Sequence, residues 1–253
     1  MQQDLLVVED LKKKYDNGFE AVKGVSFSVA KGEVFGILGP NGAGKTTTLE
    51  MIEGLRQITS GSVLLDGLQV KDSPYEVKER IGIQLQSSAF FQNLKLVELL
   101  EMFGELYGQK INPIELLTEV GLEQKATAAA KELSGGQRQR FSIATTLVNN
   151  PIMIFLDEPT TGLDPQARRN LWELIEQIKR KGTTVILTTH YMDEAQILCD
   201  RVAIMDEGKI VALDTPKKLI DQLLGRGFKP RTQVPPATLE DVFIDLTGKE
   251  MRD

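Results

Sequence analysis

VFGILGPNGAGKTTTLEMIEG, residues 34–54, runs from an apolar segment through a glycine-rich turn into a helical pattern. Residues 34–38 read as a buried strand, and residues 46–53 as a helix that stops before Gly54. Between them, Gly39-Pro40-Asn41-Gly42-Ala43-Gly44-Lys45-Thr46-Thr47 fits the pattern G-x-x-x-x-G-K-[ST] in the strand–loop–helix context that gives it meaning. The glycines let successive backbone N–H groups turn inward, and the helix start adds positive potential. Polyphosphate can therefore be held largely by main chain. Lys45 is placed to bridge β- and γ-phosphates, and Thr46 to ligate Mg²⁺.

A phosphate loop of this kind needs a carboxylate at the end of a second core strand. Ile152-Met153-Ile154-Phe155-Leu156 supplies the apolar run, and Asp157-Glu158 close it. Carboxylates abutting such a strand are costly to bury unless paired or metal-bound, so a cation is expected beside them. Asp157 is expected to hold Mg²⁺ through its water shell, and Glu158, just past the strand end, to act as general base on the attacking water.

Around these motifs, apolar runs alternate with amphipathic helical patterns, which reads as α/β with a largely parallel buried sheet. Further strands are expected at 184–188 and 201–205, and at 62–65 and 68–70 around the tight-turn dipeptide Asp66-Gly67. Antiparallel pairing is expected to dominate the front of the chain, to about Val70. Residues 95–150 read as helices only: one over 95–107, one starting at Asn112-Pro113 and ending at Gly121, and one from Ser134 to about Val148. Asp164 caps a helix started by Pro165, with Leu171, Leu174, Ile175 and Ile178 on one face and Gly182 as its stop. A helix started by Pro216 ends near Gly225. The organisation follows: an α/β core over 1–86 and 151–225, a helical insert over 87–150, and a tail over 226–253. In that tail a linker (226–236) precedes a short helix whose Leu239, Val242, Phe243 and Leu246 are expected to dock on the core.

The chain has 253 residues, long enough for one large domain or a domain with a subdomain. Its 41% apolar content is ample for a core. With 30 basic and 36 acidic residues its net charge is −6, which argues against a strongly basic nucleic-acid binder. The one cysteine, Cys199, cannot form an internal disulfide, and reads as a packed core thiol. The N-terminus has no secretory pattern, and apolar runs such as 152–156 hold five residues where a spanning helix needs about 20. A cytoplasmic chain that crosses no bilayer by itself is expected.

Leu133-Ser134-Gly135-Gly136-Gln137 is the most informative string. Ser134 and Gln137 have the spacing of a capping box. Two glycines in a first helical turn cost up to about 2 kcal/mol against alanine, which makes sense where a ligand must approach the backbone closely. Yet one nucleotide cannot have two primary phosphate cradles in the same chain.

LSGGQ, lying between the phosphate loop and the acidic strand end, resembles the signature motif of ABC-type ATPases, and the resemblance spans nearly the whole chain. It implies a P-loop NTPase (RecA-like) core with an antiparallel β subdomain and an inserted α-helical subdomain. It also implies ATP as nucleotide with Mg²⁺, and a head-to-tail dimer, homodimeric or with a paired ATPase subunit. In that dimer Ser134, Gly135, Gly136 and Gln137 of one copy close on the γ-phosphate held by the other. By the same resemblance Tyr15 stacks on adenine, Gln86 senses Mg²⁺ and water and couples to a membrane partner, Asp164 lies at the dimer seam, and His190 contacts the γ-phosphate. The implied function is the ATP-hydrolysing subunit of a transporter, an exporter by the strings at 189–195, 199–210 and 239–250. It works peripherally on separate integral membrane permease subunits, with no direct nucleic acid.

Two other classes compete: an ABC-like ATPase acting as a mechanical switch on nucleic acid or ribosome, and a small-molecule kinase or GTPase with the same loop. The acidic balance and the lack of a basic linker weigh against the first. LSGGQ and the lack of an N-K-x-D string weigh against the second.

Overall fold

A computed structural model describes residues 4–85, 90–228, 242, 245 and 246. The strand expected at the front of the phosphate loop is present over Val34–Leu38 (β3), after two long strands at Asp4–Lys14 (β1) and Glu20–Ala30 (β2). Helix α1 (Lys45–Ile52) follows, then β4 (Ser60–Leu65) and β5 (Leu68–Gln69). Asp66 and Gly67 both have positive φ, 47° and 79°, the turn that two-residue hairpins prefer. Helix α2 (Pro74–Arg80) leads into β6 (Ile81–Gln84).

The next stretch holds α3 (Leu96–Leu106), α4 (Pro113–Glu119) and α5 (Gly135–Thr146), with short 3-10 turns before α5. A single antiparallel bridge, Lys95 with Ala129, is the one departure from the all-helical expectation. Then come β7 (Met153–Asp157), α6 (Pro165–Arg180), β8 (Thr184–Thr189), α7 (Met192–Leu198), β9 (Arg201–Asp206), β10 (Lys209–Asp214) and α8 (Pro216–Gly225).

Two sheets result. One is antiparallel, in the order β2-β1-β4-β5, and the other runs β10-β9-β3-β8-β7-β6, parallel except for β10. The parallel strands are apolar on both faces because both faces are covered. Phe35 and Ile37 of β3 join one core with α1 and the antiparallel sheet, while Val34 and Leu38 join the other with the helices. Strands β7, β8 and β9 divide the same way, so a period-two strand reads as a continuous apolar run.

Sequence reading missed β1, β2, β6 and β10 as individual strands. In β1 the alternation is broken by a register shift between Val8 and Leu11, with Asp10 at φ 42°. In the tail, Val242 is buried in the helical-side core, Leu246 packs against it, and Asp245 pairs with Arg226 at 2.9 Å. Leu239 and Phe243, and most of the expected linker, lie outside the described residues.

Helix α5 lies against β6, where Gly82 leaves no room for a side chain. A Cβ there would collide with the Thr146 backbone carbonyl and come within 2.8 Å of the Thr146 Cβ. Gly82→Ala is expected to lower stability by about 1–3 kcal/mol through overpacking. Urea unfolding checks this, and an unchanged midpoint would contradict the close approach.

Candidate functional site: a phosphate-binding cleft at the strand ends

Adjacent parallel strands bring three chain segments to one sheet edge. Leu38 is in register with Thr189, and Asp157 with Thr188, so the loop after β3, the acids ending β7 and His190 after β8 lie side by side. Open α/β sheets bind ligands outside such carboxyl ends. A cleft of 870 Å³ opens there, lined by Tyr15, Phe19, Ala21, residues 41–47, Glu158, Thr161, His190 and Tyr191.

The loop turns into α1 at Gly44, whose φ of 101° is open to glycine and strained for other residues. Lys45 then points back under the loop. Its Nζ donates to the carbonyls of Gly39 at 2.8 Å and Pro40 at 3.2 Å, and pairs with Glu158 Oε1 at 3.2 Å. Both side chains are buried, 4% and 8% exposed. Burial lowers the Lys45 pKa although Glu158 opposes it. For Glu158 burial works against the charge, but Lys45, with His190, outweighs it and holds the carboxyl below its ordinary range.

Glu158 sits at φ 49°, a left-handed backbone that costs a non-glycine residue about 1–3 kcal/mol. Its N–H donates to the Thr188 carbonyl at 3.2 Å and to Thr188 Oγ1 at 3.0 Å, which fixes the turn. The same Thr188 hydroxyl donates to Asp157 Oδ1. One side chain thus orients both acids, and sequence reading passed it over because a threonine inside a strand looks like packing.

His190 Nδ1 lies 3.2 Å from Glu158 Oε2, an ion-pair distance without an aligned hydrogen bond. Its ring packs on Tyr191, over which Arg168 of α6 stacks at 4.4 Å.

Thr46 Oγ1 donates to the Asp157 carboxylate at 3.1 and 3.3 Å. Burial raises the Asp157 pKa, against the hydrogen bonds from Thr188 and Thr46. A buried carboxylate and a hydroxyl converging beside a phosphate loop fit Mg²⁺, which takes one or two protein oxygens and completes its shell with water and phosphate. Gln86, the third expected ligand, lies outside the described residues.

Tyr15 lines the cleft with Phe19 stacked at 6.3 Å, a second aromatic that the sequence reading did not single out. Gly39 and Pro40 are buried at the start of the loop, and Asn41, Gly42, Ala43, Gly44, Thr46 and Thr47 line the cleft. Ser134, Gly135, Gly136, Gln137 and Asp164 do not line this cleft. Ser134 caps α5 as expected, its Oγ accepting from the Gln137 N–H at 3.3 Å and Gln137 Oε1 accepting from the Ser134 N–H at 3.1 Å. The two glycines differ. A Cβ on Gly136 would press on Ala167 of α6 at 2.9 Å, so helix packing explains it, whereas Gly135 is exposed and a Cβ there would meet only the Leu163 side chain, at 4.0 Å. Asp164 caps α6, accepting from the N–H groups of Gln166 and Ala167 at 3.0 and 2.9 Å.

The family model described as ABC transporter matches residues 22–161. The chain belongs to the ABC transporter family. That match takes in the loop, Ser134–Gln137 and both acids, while Tyr15, Asp164 and His190 lie beyond it. Nod factor export ATP-binding protein I of Ralstonia nicotianae is 36% identical across 98% of this chain and 95% of its own length. A linearmycin resistance ATP-binding protein of Bacillus subtilis is 40% identical across 87% and 72%. Among solved structures, an ATP-binding subunit of an ABC transporter superposes with a TM-score of 0.81 at 29% identity, covering 96% of this chain and 99% of that one. A dimeric ATP-binding cassette in a post-hydrolysis state with ADP and Pi gives 0.75 at 27%, covering 83% and 98%. This ABC transporter subunit binds and hydrolyses ATP, on a P-loop NTPase fold. These findings support neither a nucleic-acid switch nor a small-molecule kinase. Among the described residues, no helix is long and apolar enough to cross a membrane.

At the end of α1 away from the loop, Glu53 is 2% exposed. Burial, then the charges of Asp157 and Glu50, push its pKa from 4.5 to about 8. Because the folded value is raised, the stability linked to this proton is complete below about pH 4.5 and is lost as pH rises through about 8. Glu53→Gln removes that dependence. Its stability relative to wild type should grow between pH 5 and 8, by an amount on the order of a few kcal/mol. A difference that stays flat with pH in chemical denaturation would contradict the buried acid.

Proposed function

We propose that two copies of this subunit, or one copy and a paired ATPase subunit, close head to tail around two ATP molecules and drive export through separate integral membrane subunits. The observation that carries this reading is the division of the phosphate-binding parts. The cleft holds Lys45, Thr46, Glu158 and His190, while the exposed start of α5 at Ser134 and Gly135 stands outside it. A second helix start suited to anions is of use to a nucleotide seated on another chain. The export direction rests on the relatives named for Nod factor export and linearmycin resistance. The working location is the cytoplasmic face of the membrane, reached through the partner.

In the closed pair, Tyr15 would stack on adenine and residues 39–47 would wrap the phosphates with backbone N–H groups. Lys45 would exchange the Gly39 and Pro40 carbonyls for β- and γ-phosphate oxygens. Thr46 and Asp157 would hold Mg²⁺, with Gln86 completing the set, and the metal would supply charge neutralisation across those oxygens. Once Lys45 turns to phosphate, Glu158 is free to take a proton from the attacking water, and His190 to contact the γ-phosphate. Ser134, Gly135, Gly136 and Gln137 of the facing copy would close the site, with Asp164 at the seam.

Lys45→Ala is expected to abolish ATP hydrolysis, and wild-type turnover in that variant would overturn the assignment of the loop. Glu158→Gln should bind ATP with Mg²⁺ and run as a stable dimer in gel filtration. A monomer under those conditions would count against the paired site.

A further inference from the structure

Glu194 of α7 is fully buried, 0% exposed, and no step above uses it. Its neighbours come from three separate segments. The Trp172 indole of α6 donates to Oε1 at 3.1 Å. The hydroxyls of Thr189 and Thr160 lie beside the carboxyl, where they favour its charge against the larger opposing effect of burial. Thr189 immediately precedes His190. Thr160 stands two residues after Glu158, in the loop that runs on to Asp164. Trp172 belongs to the helix that Asp164 caps.

A buried carboxyl costs several kcal/mol unless its oxygens are satisfied, and an apolar residue would fill the same space at less cost. Here the satisfaction is incomplete. Both Glu194 Oε2 and Thr160 Oγ1 are buried without an aligned hydrogen bond among the described residues. What anchors the carboxyl is the Trp172 hydrogen bond, and burial then presses the Thr160 and Thr189 segments against it, so the placement of all three depends on Glu194. The segments joined carry the base, the histidine and the cap of α6.

We propose that Glu194 is a positioning residue, setting the His190 segment against the loop from Glu158 to Asp164 through Thr189, Thr160 and Trp172. It touches neither nucleotide nor water, and acts by holding His190 within reach of Glu158. The inference rests on the proposed roles of His190 and Glu158.

The chain's single histidine makes the test direct, because an untagged protein labelled in histidine gives one imidazole signal. Glu194→Gln and Thr160→Val keep the volume of the originals, and Trp172→Phe removes the indole donor while keeping an aromatic ring. Each variant should shift the imidazole resonance of the full chain without nucleotide. Each should also lower kcat about tenfold with KM for ATP within about twofold. In a His190→Ala background, Glu194→Gln should lower kcat no further. An unmoved imidazole signal in variants that melt as wild type does, or an undiminished kcat, overturns the proposal. Wild-type turnover by Glu158→Gln would instead sink the reading of the site itself, so the two failures are distinguishable.

Discussion

An ammonium group buried to the depth of Lys45 must have its charge answered, and everything at the cleft follows from how that is done. Two carbonyls of its own loop and one carboxylate surround it. The arrangement stabilises the loop and, in the same contact, keeps Glu158 ionised and occupied. On the proposed reading, a triphosphate would bring more negative charge to Lys45 than Glu158 offers, so that ATP binding would free the Glu158 carboxylate in the same exchange.

That exchange depends on backbone placed elsewhere. The parallel order of β3, β8 and β7 puts the loop, the histidine and the acids on one edge. Thr188 fixes both Asp157 and the left-handed turn at Glu158. Glu194 then ties the following loop to α6 and to the segment bearing His190. The strain at Glu158 persists because the neighbouring strand holds its N–H from two sides.

Much of this was legible in the sequence, and for physical reasons. Runs such as 34–38 and 152–156 are apolar at every position because helices cover one face of the sheet and a second sheet the other. The phosphate loop needs glycine and lysine at fixed spacing, and the helix caps at Ser134 and Asp164 are local chemistry. What stayed hidden depends on contact between distant segments. The bulge in β1 blurs its alternation, and Thr188 acquires its role only by pairing with the end of β7. Glu194 was not singled out, because its burial depends on Thr160 and Trp172 from distant segments. The glycine pair at the start of α5 was read as one feature, yet packing on Ala167 accounts for Gly136, while at Gly135 a Cβ would meet only Leu163 at ordinary contact distance.

The deepest consequence is that one chain carries two anion-seeking helix starts and assembles only one of them into its cleft. A triphosphate bearing a thiol-reactive group at its γ-end decides whether the other serves a neighbouring copy. Copies combining Lys45→Ala with Ser134→Cys are mixed with copies that keep Lys45 and lack cysteine at 134. The account predicts an adduct on the chain that cannot hold the nucleotide itself. An adduct confined to chains bearing both Lys45 and the introduced thiol, when those are supplied instead, would contradict it.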